Sequence, residues 1–475
     1  MTFEEIDRLI REAMKAWEAP GTAVVVVQGD TVVYCEGAGV RELGKPEVAT
    51  SDTLFAIAST TKAFTCTAIA MLAEEGKLSW DDPVRKHLDW FRLSDPLADA
   101  NVTLRDLVTH RTGYSRNDML WFGSENSQVE ALKKFGLVKP NTSFRSMWEY
   151  NNLCYSAAGL AAGNAAGCSW EELIRSRIFE PLGMTNSNFR VSEAQASPNH
   201  ASAHEKTLDG KIRVVPWRNI DNCRPGGGIN SNVRDLANWL KFQVGRGTFE
   251  GKTLLSVEKL EETRTSQIVE PKDERSRRAQ PNSQFFNYGL GWALYDYRGK
   301  KVASHGGALD GFRTVVAIVP EINLGVAIVV NIAPNNYVGA LRDSILDLAF
   351  GAEKTDWNSH YQGIYQEAVD ELLKKEEERD SKRHSDTSPS HPLKDYAGIY
   401  ENPAYGSLEI TLQNDKLKLK WSWYECELSH FHFDVFKATI EFPRVNELAS
   451  FSLDKEGNLA GVEFIGQLFQ KSKPK

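Results

Sequence analysis

Residues 54–76 read LFAIASTTKAFTCTAIAMLAEEG, and the chain changes character inside this stretch. LFAIA is apolar and extended. From about Thr60 to Glu75 the pattern is helical, with Phe64, Ala68, Met71 and Leu72 on one stripe and Gly76 as the stop. Ser59-Thr60-Thr61-Lys62 stands at the junction, where one helical turn brings Ser59 and Lys62 to the same side. A serine hydroxyl is a poor nucleophile until a neighbouring base takes its proton, and a lysine can be that base. The amino end of a helix also favours negative charge developing on the oxygen. The same spacing recurs at Ser256 to Lys259, Ser452 to Lys455 and Ser472 to Lys475, in charged segments that read as surface.

Upstream, GTAVVVVQGDTVVYCEGAGV (21–40) reads as two strands joined by a tight turn at Gly29-Asp30. Before it, Phe3, Ile6, Leu9, Ile10, Met14 and Trp17 recur at helical spacing. Downstream, SWEELIRSRIFEPL and SNVRDLANWLKFQVG suggest helices. Strands return at YGLGWALYDYRGKKVASHGG and FRTVVAIVPEINLGVAIVVN. Strands at both ends with helices between them suggest a sheet covered by helical layers. From roughly Asp356 to Pro392 a charged helix decays into Ser, Pro and His, as a solvated linker does. Beyond it SLEITLQNDKLKLKWSW alternates about Asn414-Asp415, and the short-strand rhythm continues to the end, predicting a small all-β barrel or curled sheet.

Two further clusters carry chemistry. Tyr150-Asn151-Asn152 precedes LCYSAAGLAAG, a small-residue helix. A tyrosine hydroxyl held near positive groups can act as a general base, and a nearby asparagine can hold Lys62 and donate to a substrate carbonyl. Tyr400-Glu401-Asn402 repeats the spacing inside the predicted β domain. In Ser304-His305-Gly306-Gly307-Ala308 the histidine ends the strand-like run KKVAS, and the glycines let a substrate backbone approach. A strand edge there can supply an amide to an oxyanion hole, paired with the amide of Ser59. A glycine-rich turn with an incidental histidine is the plainer alternative.

Composition excludes several classes. Hydrophobic residues make up 41% and charged residues 25% of the 475, with a formal net charge of -8. Neutralising phosphates needs a basic face, so nucleic acid is not an expected partner. The six cysteines are scattered, with no CxxC pair, and read as free thiols. No metal or organic cofactor is expected. His430 and His432 alternate with Phe431 and Phe433, placing both on one face of a strand; the polar face of a strand explains them better than a metal pair lacking a third ligand. No run is apolar enough to span a bilayer, and the amino terminus lacks the basic start and apolar stretch of a secretory signal. The expectation is a cytoplasmic protein.

The order S-x-x-K, Y-x-N and H-x-G, together with LRDLVTHRTGY, YNNLCYSAAGL, GGGINSNVRDLANWL, YGLGW and SHGGALDGF, resembles the serine β-lactamase and penicillin-binding-protein-like superfamily. Within it the chain looks like class C β-lactamases, D-aminopeptidases and family VIII-type esterases over residues 1 to 350. The resemblance implies an α/β (α+β) fold: a β-lactamase/transpeptidase-like antiparallel sheet with a helical subdomain. It implies Ser59 as the acylated nucleophile, with Lys62 and Tyr150 sharing general-base work. Asn152 would contact the acyl-side amide, His305, Gly306 and Gly307 match the third motif, and Ala308 would give the second oxyanion amide. His305 departs from the lysine usual in β-lactamases, so peptidase- and esterase-like members fit better. LKDYAGIYENPAYGSLEITL looks like the opening of a lipocalin-like barrel appended to some of these hydrolases, where it can cover the active site and take part in oligomerisation. The expected organisation is a hydrolase domain over 1–352, a charged helix and linker over 353–391, and the barrel over 392–475, with homo-oligomerisation through the barrel.

The expected chemistry is acyl transfer through a Ser59 acyl-enzyme on small peptides, amino-acid amides or carboxylic esters. Tyr114, Trp121, Phe122 and Phe312 are candidates to wall a pocket, and Arg116 and Asp118 to steer a charged substrate end. The rivals are a β-lactamase or a peptide acyl-transferase or cyclase, a non-catalytic peptide-binding sensor, and a structural assembly protein. The intact set Ser59, Lys62 and Tyr150 weighs against the last two.

Overall fold

A computed structural model describes residues 1–472, and the Lys475 of the last S-x-x-K match lies outside them. The chain forms two compact units: residues Met1–Asn117 with Lys139–Glu367, and Asp118–Val138 with the chain from Ala368 onward.

The first unit is built on an eight-stranded antiparallel sheet. Helix α1 (Phe3–Trp17) opens it, started by a capping box in which the Thr2 amide donates to the Glu5 carboxylate at 2.7 Å. Its buried residues Ile6, Ile10, Ala13 and Trp17 fall on one stripe against the sheet. β1 (Gly21–Gln28) and β2 (Thr31–Gly39) form the expected hairpin, with Gly29 at φ 58 in the turn. Val24 to Val27 are all buried, because helices cover both faces of a central strand. The other strands come from the carboxyl-terminal part of the unit: β3 (Ile268–Val269), β4 (Phe286–Tyr288), β5 (Ala293–Tyr297), β6 (Lys300–Leu309), β7 (Phe312–Val319) and β8 (Leu324–Val330). Their order is β2-β1-β8-β7-β6-β5-β4-β3, with Val24 opposite Ile328 where the two ends of the unit meet.

Between β2 and β3 lie the helices α2 (Thr61–Glu74), α3 (Gln128–Phe135), α4 (Asn152–Ala166) and α5 (Val233–Val244), of which α3 belongs to the second unit. The expected helix after Ser59 is present, but it is buried from Thr61 through Leu72 on every side instead of along one stripe. Such a helix is central, wrapped by others. The glycine-rich turn considered at His305 is not found: β6 continues through His305, Gly306 and Gly307 to Leu309.

After α6 (Tyr337–Phe350), helix α7 (Trp357–Ser381) runs 25 residues, further than the charge-rich sequence suggests. Trp357 and Tyr361 anchor its start in the core, while the pairs Lys375–Glu371 at 2.6 Å and Lys374–Glu378 at 3.8 Å line its solvated part.

The second unit holds a closed eight-stranded barrel: β9 (Gly398–Asn402), β10 (Gly406–Gln413), β11 (Lys416–Trp421), β12 (Tyr424–His432), β13 (Val435–Ile440), β14 (Val445–Leu453), β15 (Leu459–Phe464) and β16 (Gln467–Lys471), closed by Tyr400 opposite Lys471. Asn414 and Asp415 take positive φ in their hairpin, as a two-residue primed turn requires. Leu417, Leu419 and Trp421 point inward at every second residue to meet Tyr400, Phe464 and Phe469. Residues 118–138 join this unit: Ser422 Oγ donates to the Gly123 carbonyl at 3.1 Å, and a Cβ on Gly123 would fall 2.0 Å from the Trp423 ring. The sequence places His430 and His432 on one strand face. Instead the pairing slips between them; His430 Nε2 donates to the Phe433 carbonyl at 2.9 Å, while His432 Nδ1 accepts from the His384 amide at 3.4 Å.

Ile328, fully buried in the sheet, is expected on truncation to alanine to cost about 2–5 kcal/mol in urea unfolding. Ile399→Ala, half exposed on the barrel, should stay within about 0.5 kcal/mol.

Candidate active site

The site starts from a strained turn. Phe55–Ala56 pairs with Asn230–Ser231, and the Ile57 amide donates to the Ile229 carbonyl at 3.1 Å, which pins the chain just before Ser59. Ala58 then takes φ 46, in the left-handed region that a residue with a Cβ enters only when its surroundings force it. One short turn, Ala58–Thr60, leads into α2, and Ser59 is the one half-exposed residue in a buried run. On the other side β6 passes so close that a Cβ on Gly307 would lie 2.3 Å from the Ile57 carbonyl oxygen. The glycine there is a matter of space, not of turn conformation.

Lys62 sits one turn into α2, fully buried. Its Nζ donates to Asn152 Oδ1 at 2.7 Å, to the Gly226 carbonyl at 2.6 Å and to Ser59 Oγ at 3.2 Å. Three acceptors match the three N–H bonds of an ammonium. The Tyr150 hydroxyl donates to Ser59 Oγ at 2.9 Å, and Nζ lies 4.8 Å from the centre of the Tyr150 ring. Asn152 reaches Lys62 because α4 begins there, its start fixed by Asn151, whose Oδ1 accepts from the Cys154 amide at 3.0 Å. The structure therefore brings Ser59, Lys62, Tyr150 and Asn152 into one hydrogen-bonded cluster.

His305 lies beside this cluster without bonding to Ser59. Its Nδ1 donates to the Gly306 carbonyl at 2.8 Å, which leaves Nε2 to accept from the Tyr288 hydroxyl at 3.0 Å. Burial first, and then the Lys62 ammonium, push its pKa down to about 3. The ring is neutral at any working pH. Gly306 and Ala308 are exposed on the alternate face of the strand, and His305 and Gly307 are buried.

The aromatic candidates divide between the two units. Tyr114 is fully buried with its hydroxyl accepting from the Asp95 amide at 2.8 Å, and Phe312 packs edge-on against Trp217 with ring centres 4.7 Å apart. Both rings serve packing here. Trp121, Phe122 and Asp118 belong to the second unit, where the Trp121 indole donates to Asp118 at 2.9 Å. Arg116 remains in the first unit, its guanidinium 4.7 Å from the Tyr150 ring centre.

Sequence reasoning did not single out Gly226, His110, Tyr155 or Tyr288. Gly226 acts through its carbonyl, so side-chain chemistry gives no signal, although the run GGG marks a close approach. Tyr155 donates to the Val108 carbonyl at 2.6 Å, and burial holds the hydroxyls of both Tyr155 and Tyr288 well above the usual tyrosine range.

A half-exposed hydroxyl touching both a lysine amine and a phenol, beside a strand edge, is equipped for acyl transfer. The comparisons with known proteins agree. A family model described as Beta-lactamase matches residues 6–350, and one described as a domain of unknown function (DUF3471) matches residues 382–471. The Unguisins hydrolase ungD of Aspergillus violaceofuscus is 26% identical over 478 residues, covering 92% of this chain and 82% of that protein. The octameric penicillin-binding protein homologue from Pyrococcus abyssi shares the fold with a TM-score of 0.64 at 24% identity, over 99% of this chain and 100% of that one. A D-stereospecific amidohydrolase from Streptomyces sp. gives a TM-score of 0.57 at 20% identity, over 70% and 95%. With its sheet, its helices and residues 6–350 all matching, the chain belongs to the beta-lactamase family and is a serine hydrolase.

Proposed function

We propose that the chain hydrolyses small peptides, amino-acid amides or carboxylic esters through an acyl-enzyme on Ser59. The observation that carries this reading is the double engagement of Ser59 Oγ, 3.2 Å from Lys62 Nζ and 2.9 Å from the Tyr150 hydroxyl. Ser59 Oγ attacks the carbonyl carbon while the Lys62–Tyr150 pair, having first given up one proton to solvent, accepts the serine proton. The oxyanion is held by the amides of Ser59 and Ala308. As the bond to the leaving nitrogen or oxygen breaks, the same pair returns the proton to it. Water then attacks the ester, losing its proton to the pair, and the pair passes that proton to Ser59 Oγ as the ester bond breaks and the acid leaves. Asn152, already bonded to Lys62, orients the acyl-side amide of the substrate.

The substrate end facing β6 follows from His305. A neutral imidazole offers no fixed positive charge to a carboxylate, so substrates without a carboxylate at that position are preferred over β-lactams. The name of the D-stereospecific amidohydrolase supports an amide substrate with a D-configured residue. The octameric Pyrococcus abyssi homologue supports self-association of this chain.

Brief incubation with an activated ester should leave a mass adduct on the wild type and none on Ser59→Ala. An adduct of equal size on the variant would move the nucleophile elsewhere. Lys62→Ala and Tyr150→Phe are each expected to lower kcat by about two to four decades, as positioned proton-transfer groups do.

The pH dependence carries its own sign. Because folding lowers the His305 pKa to about 3 from 6.5, the native ring stays neutral between those values while the unfolded one takes up a proton. Its contribution to stability is therefore complete above about pH 6.5 and is lost as the pH falls toward 3. His305→Gln should flatten the decline of the unfolding free energy, read from urea titrations between pH 7 and pH 4, by up to about 1.4 kcal/mol per pH unit. The activity profiles of wild type and His305→Gln should run parallel from pH 5 to pH 8. A limb near pH 6.5 present only in the wild type would show that His305 titrates during turnover.

A further inference from the structure

His110 is a buried titratable side chain to which the acyl-transfer chemistry gives no part, and its contacts converge on one neighbour. It follows the short helix Leu104–Val108 and takes φ 60, left-handed backbone on a residue other than glycine. Histidine, asparagine and aspartate are the non-glycine residues most often found there, so the position selects among few side chains. The His110 carbonyl accepts from the Glu149 amide at 2.7 Å, and its Nδ1 accepts from the Asn151 amide at 3.1 Å. One residue thus holds the backbone immediately before and immediately after Tyr150. Its ring also lies against the Tyr150 ring, with centres 4.4 Å apart and planes tilted by 38°.

The protonation state follows from the bonds. Since Nδ1 accepts, the proton sits on Nε2, which is buried with no hydrogen-bond partner among the described residues. Tyr155 and Tyr288 close around the ring at 5.2 and 4.9 Å. Burial, then the charges of Lys62 and Arg116, hold its pKa well below the ordinary histidine value. Protonation would turn the Nδ1 acceptor into a donor facing the Asn151 N–H, so the clamp on Tyr150 exists only with a neutral ring. A buried N–H left unpaired costs stability, and a side chain that carries such a cost together with left-handed backbone is held for what its other end does.

We propose that His110 is the positioning residue of Tyr150: through its carbonyl and its Nδ1 it fixes residues 149–151 so that the Tyr150 hydroxyl reaches Ser59 Oγ. This rests on the reading of Tyr150 as a proton-transfer group. Two replacements of the full chain separate the acceptor from the ring. His110→Phe keeps the ring and loses the acceptor. His110→Asn keeps an acceptor at the same distance from the backbone and tolerates left-handed φ.

Steady-state kinetics on one activated ester test it, with each replacement made alone and in a Tyr150→Phe background, alongside thermal unfolding. His110→Phe is expected to lower kcat by about tenfold to a hundredfold with KM within about threefold, the scale of a reacting group displaced by an ångström. His110→Asn should remain within about fivefold of the wild type. In the Tyr150→Phe background His110→Phe should cost less than about threefold, because a residue acting through Tyr150 has nothing left to position. Full additivity of the two losses overturns the proposal, and so does an Asn variant as slow as the Phe variant. If His110→Phe does not fold, His110→Asn decides alone: a kcat within about fivefold supports the clamp, and a deeper loss overturns it. A Tyr150→Phe enzyme of normal rate brings down the acyl-transfer scheme itself, an outcome distinct from additivity.

Discussion

The Lys62 ammonium is what the rest of the hydrolase unit is arranged around. An amine buried to this degree is tolerated only when each N–H finds an acceptor, and here the acceptors come from three separate parts of the chain. Ser59 lies in the short turn that leads into α2, Asn152 opens α4, and Gly226 belongs to the glycine run just before Asn230–Ser231, which pairs with Phe55–Ala56. Satisfying one charge thereby ties the central helix, its neighbour and the turn before Ser59 into one geometry. The left-handed Ala58 persists because both sides of that turn are fixed, by the 229–231 segment and by β6.

The second constraint is spatial. Gly307 allows β6 to run against the Ile57 carbonyl, and the strand edge carrying Ala308 is then held beside Ser59 by contact instead of by a side chain. The same approach buries His305, and burial next to Lys62 removes its charge. The electrostatics of the site thus follow from how closely two backbones lie.

The second unit shows a different economy. Its barrel is filled by its own aromatic residues, with Tyr400, Trp421, Phe464 and Phe469 meeting inside. It also takes in residues 118–138, which leave the hydrolase sequence right after Arg116 and Asn117 and return before Tyr150. Ser127 and Glu130 start the helix of that segment with a capping box, and Trp423 packs onto Gly123 where a side chain would not fit. A segment read as part of one domain by position in the chain is thus, by packing, part of the other.

Much of this was legible in the sequence because it depends on neighbours along the chain. Helical spacing put Ser59 and Lys62 on one side, alternation about Asn414-Asp415 announced the barrel, and the valine-rich run broken at Gly29-Asp30 announced the first hairpin. The order of Ser59, Tyr150 and His305 pointed to the family. Tertiary structure decided what depends on distant partners: that α2 is buried all round, that Gly226 offers its carbonyl to Lys62, that Tyr114 and Phe312 are buried, and that the His110 ring lies against Tyr150 and accepts from the Asn151 amide. The physical reason is the same in each case. Local pattern reports periodicity and turn chemistry, whereas burial, backbone acceptors and the charge of a histidine are set by atoms far away in sequence that only the fold brings near.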